Sequence, residues 1–215
     1  MKAVIFDLDG TLLDTLADIA DSMNAVLAKY GLPLHNINDY KLFVGDGADN
    51  LVIRSVTGVE LAELTISRLV TEYKTEYLKR QANKTRPFEG IPELLSTLAE
   101  HDVKMAVLSN KSHIATLEVM AHYFPDIYFC ALIGHRTGYP IKPDPSGVLE
   151  ILGIMELPRE EALYVGDSGT DMQTASAAGI RAVGALWGYR DKEELEENGA
   201  AAFAEHPLDI LKYVM

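Results

Sequence analysis

Two aspartates separated by one residue, Asp7 and Asp9, follow the apolar run Ala3–Phe6 and precede Gly10 and Thr11. Carboxylates this close repel unless a cation or a shared proton compensates them. A second acidic pair, Asp167 and Asp171, follows another apolar run in Gly166-Asp167-Ser168-Gly169-Thr170-Asp171. If both runs are parallel strands, Asp7 and Asp167 project from one sheet edge and make a hard, oxygen-rich site suited to Mg²⁺. A third run ends in Leu108-Ser109-Asn110-Lys111. There a hydroxyl and the N–H groups of a helix start form a natural phosphate cradle. Lys142 stands in Pro140-Ile141-Lys142-Pro143-Asp144-Pro145, whose prolines stiffen the loop that carries the ammonium. Each feature alone has a plainer reading: an Asx-turn at Asp7, an N-cap at Ser109, a helix-dipole carboxylate at Asp171, a solvated loop lysine. Their combination sets them apart.

The elements that must position these residues follow from the apolar pattern. Ala3–Phe6, Val103–Leu108, Ile127–Ile133, Ala162–Val165 and Arg181–Val183 read as strands. Most are continuously apolar rather than alternating, as in a parallel sheet covered on both faces. Helical spacing at Ile91, Leu94, Leu95 and Leu98, at Ile114, Leu117 and Ala121, and at Met172, Ala175 and Ala178 separates the later runs. Strand alternating with helix predicts a doubly wound α/β fold. The stretch after the first strand breaks this rhythm. Leu16, Ile19, Ala20, Met23, Val26, Leu27 and Tyr30 form one helical stripe, with Thr15 as a candidate N-cap. Thr65, Leu69, Val70, Tyr73 and Tyr77 mark another. The reading is a catalytic core of residues 1–14 and 83–215, with a helical insertion over 15–82.

Composition narrows the partners. Nineteen Lys+Arg against 32 Asp+Glu give a formal charge of −13, which repels nucleic acid and anionic membrane surfaces. Cys130 is the only cysteine and lies in an apolar run, so it reads as an inert buried thiol. No stretch has the length of a membrane span and the N-terminal apolar run is too short for a signal peptide, so a cytoplasmic location is expected.

The four motifs, in this order, resemble those of the haloacid dehalogenase superfamily, and the match spans essentially the whole core. Phe43-Val44-Gly45-Asp46-Gly47-Ala48, Leu108-Ser109-Asn110-Lys111 and Gly184-Ala185-Leu186-Trp187-Gly188-Tyr189-Arg190 look most like phosphoglycolate phosphatases within it. The resemblance implies a phosphatase in which Asp7 is the nucleophile and Asp9 the general acid and then base. It implies that neighbouring carboxylates help Asp9 to hold its proton. It places Mg²⁺ on the Asp7 and Asp167 carboxylates and the Asp9 main-chain carbonyl, with Asp171 orienting the site from behind. Gly10, Thr11, Ser109 and Asn110 are the implied phosphate contacts, and Lys142 offsets the developing charge. The insertion resembles a cap that closes over the site, with Gly45, Gly47 and Arg54, and in the core Arg136, as possible substrate contacts. The expected partner is a small anionic phosphorylated substrate, and monomer and homodimer are both compatible. A pyrophosphatase, a sugar or nucleotide phosphatase, a phosphomutase of the β-phosphoglucomutase type, and a non-catalytic binding module that kept the fold are the competing readings.

Overall fold

The computed structural model describes residues Met1–Met215. β1 (Ala3–Phe6) leads through β2 (Leu13–Asp14) into four helices, α1 (Leu16–Lys29), α2 (Ile37–Phe43), α3 (Gly47–Ser55) and α4 (Glu63–Arg80). The chain returns through β3 (Arg86–Pro87) and then alternates. α5 (Ile91–Glu100), β4 (Lys104–Ser112), α6 (His113–Tyr123), β5 (Ala131–His135) and α7 (Ser146–Met155) come first. β6 (Ala162–Gly166), α8 (Gly169–Ala178), β7 (Arg181–Ala185), α9 (Lys192–Glu197), β8 (Ala202–Ala204) and α10 (Leu211–Val214) follow.

Six strands form one parallel sheet in the order β5-β4-β1-β6-β7-β8. Val4 and Phe6 of β1 face an apolar layer that includes Leu94 and Leu98 of α5 and Met120 of α6. Ala3 and Ile5 face the opposite layer, with Val148 and Ile151 of α7 and Met172 and Ala175 of α8. Because both faces are covered, every position of the strand is apolar and no alternation shows. β1 lies between β4 and β6, where the winding direction reverses, and a crevice opens there beyond the carboxyl ends of the strands.

The helical insertion packs on itself. Met23 and Leu27 of α1, Tyr40 of α2, Leu51 and Val52 of α3, and Leu69, Tyr73 and Tyr77 of α4 share a third apolar cluster. No helix is long and apolar enough to cross a membrane.

Three local readings are corrected. Thr15 stands at the N-cap position of α1, but its hydroxyl makes no cap bond, and its N–H donates instead to the Tyr189 hydroxyl at 2.8 Å. β5 begins at Ala131 rather than Ile127, since Ile127 and Phe129 pack on the core without strand pairing. β8 escapes the sequence reading because a three-residue edge strand carries almost no periodicity.

Candidate active site

Register brings distant residues to one edge. Phe6 sits opposite Val107 of β4 and Val165 of β6, so Asp7 and Asp167, just beyond the ends of β1 and β6, come together beside Ser109. β4 itself runs on to Ser112, and the helix expected to start at Ser109 begins only at His113. The Lys142 ammonium donates to Asp7 Oδ1 at 2.6 Å and to Asp171 Oδ1 at 2.6 Å. Asp171 is fully enclosed. Its Oδ1 also accepts from the Tyr164 hydroxyl, and its Oδ2 accepts from the Ser168 N–H and hydroxyl in a capping box that starts α8. With both oxygens so engaged, Asp171 holds Lys142 in place.

Asp167 is wedged by its neighbours. Its Oδ1 accepts from the Thr11 hydroxyl at 3.2 Å and its Oδ2 from the Tyr189 N–H at 2.8 Å. A Cβ at Gly10 would stand 2.3 Å from Asp167 Oδ2, and one at Gly188 would stand 2.2 Å from its Cβ. Gly10 also has φ +93°, so glycine is required there on two counts. Thus Gly10 and Thr11, expected at the phosphate, are occupied in shaping and holding Asp167.

The electrostatics ask for a cation. Burial first, then the Asp171 and Asp167 carboxylates, raise Asp7 well above the usual carboxylate range against the pull of Lys142. Burial, and after it Asp171, pushes Asp167 up to about 7. Burial alone would depress Lys142, but Asp171 and Asp7 outweigh it and hold the ammonium well above its ordinary value. One ammonium, bonded to Asp7 and Asp171, thus stands among three buried carboxylates, Asp167 included, that each bring an oxygen within 4.8 Å of the others. A divalent cation at Asp7 and Asp167 removes the conflict, and an all-oxygen donor set suits a hard ion. The residues fit Mg²⁺.

A cavity opens in front of Asp7, between the sheet edge and the insertion. Asp9, Ser109, Asn110 and Lys111 line it from the core, and Gly45, Gly47, Tyr73 and Tyr77 line it from the insertion. Asn110 ties the two together. Its amide donates to Gly45 O at 3.0 Å and to Lys142 O at 3.1 Å, and its Oδ1 accepts from the Lys142 N–H. Asp9, expected to be governed by neighbouring carboxylates, is paired with a cation: Lys111 Nζ donates to both of its carboxylate oxygens, at 2.6 and 2.7 Å. Arg54 does not line the cavity. Its guanidinium is turned to Asp46 and to the carbonyl of Phe43. Arg136 pairs with Glu150 and is likewise not among the lining residues.

Residues 4–185 match the sequence profile of the haloacid dehalogenase-like hydrolases. The chain belongs to this family. The phosphoglycolate phosphatase of Mannheimia succiniciproducens is 31% identical over 219 residues, covering 99% of this chain and 98% of that protein. The phosphoglycolate phosphatase of Pseudomonas savastanoi pv. phaseolicola is 32% identical over 208 residues, 93% of this chain and 75% of its own length. Among solved structures, a predicted phosphoglycolate phosphatase from Haemophilus somnus superposes with a TM-score of 0.93 at 28% identity, over 100% of this chain and 98% of that one.

In this haloacid dehalogenase-like hydrolase, the structure brings together Asp7, Asp9, Ser109, Asn110, Lys142, Asp167 and Asp171, with Gly45 and Gly47 facing them. Arg54 stays apart. Lys111, Tyr164, Gly188 and Tyr189 were not singled out by sequence reasoning as site residues, although three of them stand in the stretches that carry the resemblance. Tyr164 reads as one more apolar position of β6, and only its hydroxyl contact with Asp171 gives it a part here.

Proposed function

We propose that this hydrolase is a Mg²⁺-dependent phosphomonoesterase that works through an aspartyl-phosphate on Asp7, with 2-phosphoglycolate as its substrate. One observation carries the chemistry: a buried carboxylate, Asp7, faces a cavity at the sheet edge with Lys142 at 2.6 Å behind it and Ser109 beside it. The names of the curated relatives support the substrate. Residues 1–14 and 83–215 form the catalytic core, and 15–82 form the cap.

Asp7 attacks phosphorus in line with the ester oxygen, so one P–O bond forms to the carboxylate as the P–O bond to the leaving group breaks. Asp9 gives its proton to the departing oxygen and later takes one from the water that cleaves the acyl phosphate. Ser109 and the main-chain N–H groups near Gly10 and Asn110 hold phosphoryl oxygens. Lys142, fixed between Asp7 and Asp171, offsets the charge on them. Asp7, Asp167 and the Asp9 carbonyl hold Mg²⁺, which, when bound, supplies positive charge to the phosphoryl group and keeps Asp7 ionised. The helices over the cavity exclude water during transfer.

Initial rates of phosphate release with Mg²⁺, across 2-phosphoglycolate, sugar phosphates, nucleotides and pyrophosphate, test this reading. The expected result is the highest kcat/KM on 2-phosphoglycolate and no turnover by Asp7→Asn. A low rank for 2-phosphoglycolate removes the substrate and keeps the chemistry. Turnover by Asp7→Asn at the wild-type rate removes the chemistry.

A further inference from the structure

Lys111 has no task in the transfer scheme, yet its side chain is only 6% exposed and its ammonium faces the same cavity. The ammonium bridges both oxygens of Asp9 and lies 4.5 Å from the ring centroid of Tyr77 on α4. No other cation is placed to meet an anion on the leaving group. Lys142 stands behind Asp7, held by two carboxylates on the phosphoryl side. Arg190, near Gly45, is held by the Val44 carbonyl and Glu194. Lys74 lines the outer wall but is 43% exposed and paired with Asp49. Arg54 is bound to Asp46 outside the cavity.

We propose that Lys111 is a specificity-determining residue that binds a carboxylate carried by the leaving group. This inference rests on the phosphatase reading and names the substrate feature the cavity selects. A buried ammonium is costly to leave unpaired, so it stays on Asp9 while the cavity holds no second anion. A substrate whose leaving group ends in a carboxylate offers a replacement partner. As the ammonium turns to it, Asp9 exchanges that cation for a proton taken from solvent and presents the proton to the ester oxygen. The Tyr77 ring keeps the ammonium at the cavity wall throughout, through cation–π attraction. A neutral leaving group provides no such exchange, and Asp9 stays tied to Lys111. The selected class is therefore small phosphomonoesters with a carboxylate a few atoms from the ester oxygen.

The test compares kcat/KM for 2-phosphoglycolate with that for ethyl phosphate, a leaving group of similar size without the carboxylate. Wild type, Lys111→Met and Lys74→Met are measured with saturating Mg²⁺. A charge-assisted contact of this kind corresponds to a loss of about ten- to a hundredfold in the ratio for Lys111→Met. Lys74→Met should leave the ratio unchanged. Lys111→Gln gives the same comparison if the methionine variant does not fold. Turnover of both esters with a ratio that moves less than about threefold in the Lys111 variants overturns the assignment and leaves the phosphatase reading standing. So does an equal loss in Lys74→Met. Absence of wild-type turnover on 2-phosphoglycolate overturns this inference, and absence of turnover on every phosphomonoester tried overturns the phosphatase reading with it.

Discussion

Replacing Gly188 by alanine tests how closely Asp167 is held. Gly188 lies in the loop after β7 and its φ is not in the left-handed region, so the backbone itself accepts alanine there. Space is what is missing. The added Cβ would meet Asp167 Cβ at 2.2 Å and its Cγ and Oδ2 at 2.6 Å, against an ordinary contact of 3.4 Å or more. Asp167 cannot yield by swinging its tip, because the clash begins at Cβ, and Gly10 closes the other side. Loop and aspartate must therefore separate by about 1 Å, at an overpacking cost of about 1–3 kcal/mol. At about 2–4 °C per kcal/mol for a chain of this size, the melting temperature falls by several degrees. The same displacement pulls on the bond from the Tyr189 N–H to Asp167 Oδ2 and moves a proposed metal ligand. A misplacement of about 1 Å costs on the order of a hundredfold in rate. The assay is kcat/KM as a function of Mg²⁺ concentration, with differential scanning calorimetry on the same samples. The half-saturating Mg²⁺ concentration should rise together with the loss of rate. An alanine variant with wild-type Mg²⁺ response and melting temperature would show that the loop and Asp167 are not packed in this way.

Further expectations concern the buried charges and the seam between core and insertion. Asp167, raised to about 7, binds a proton in the native state that the unfolded chain has already lost, so its contribution to metal-free stability is complete below about pH 4 and disappears as pH rises through 7. In EDTA, Asp167→Asn should therefore gain on wild type between pH 4 and pH 7, by up to on the order of 4 kcal/mol in urea titrations, and parallel pH curves would refute the assignment. Asp18 is buried and accepts from the N–H groups of Lys84 and Thr85 and from the Thr85 hydroxyl, tying α1 to the returning chain. Asp18→Ala orphans all of these donors and should cost about 3 kcal/mol by urea denaturation. Thr170 of α8 donates to Asp46 at 2.8 Å across the seam, where Asn110 and Arg190 also hold the carbonyls of Gly45 and Val44. Thr170→Val removes one net hydrogen bond of about 1 kcal/mol and should raise KM about fivefold, and an unchanged KM would show that this bond does not hold the seam closed.

What was legible in the sequence is what depends on the local chain. Ala3–Phe6 announces a strand buried on both faces, and the aspartate that follows must emerge at its carboxyl end wherever the strand lies in the sheet. The same reasoning locates Ser109 and Asp167, and a long helical stretch after a single strand announces an insertion. Capping is partly readable too: Ser168 with Asp171 starts α8 as a capping box should. Thr15, with Asp18 three residues on, has a similar spacing and does something else, because Asp18 finds stronger partners 66 and 67 residues away.

Partner choice belongs to the tertiary structure. The pairing of Lys111 with Asp9 spans 102 residues, and that of Lys142 with Asp7 spans 135. Spacing along the chain carries no distance at such separations, so the lysine that lines the cavity beside Asp9 was given no role, and Arg54, expected at the substrate, pairs with Asp46 instead. Glycine at 188 looks like any loop glycine until Asp167 is seen packed against it. Residue types set which chemistry this chain can perform. The β1–β4–β6 register decides which of those groups meet, because charges act over a few ångströms and only packing sets those distances.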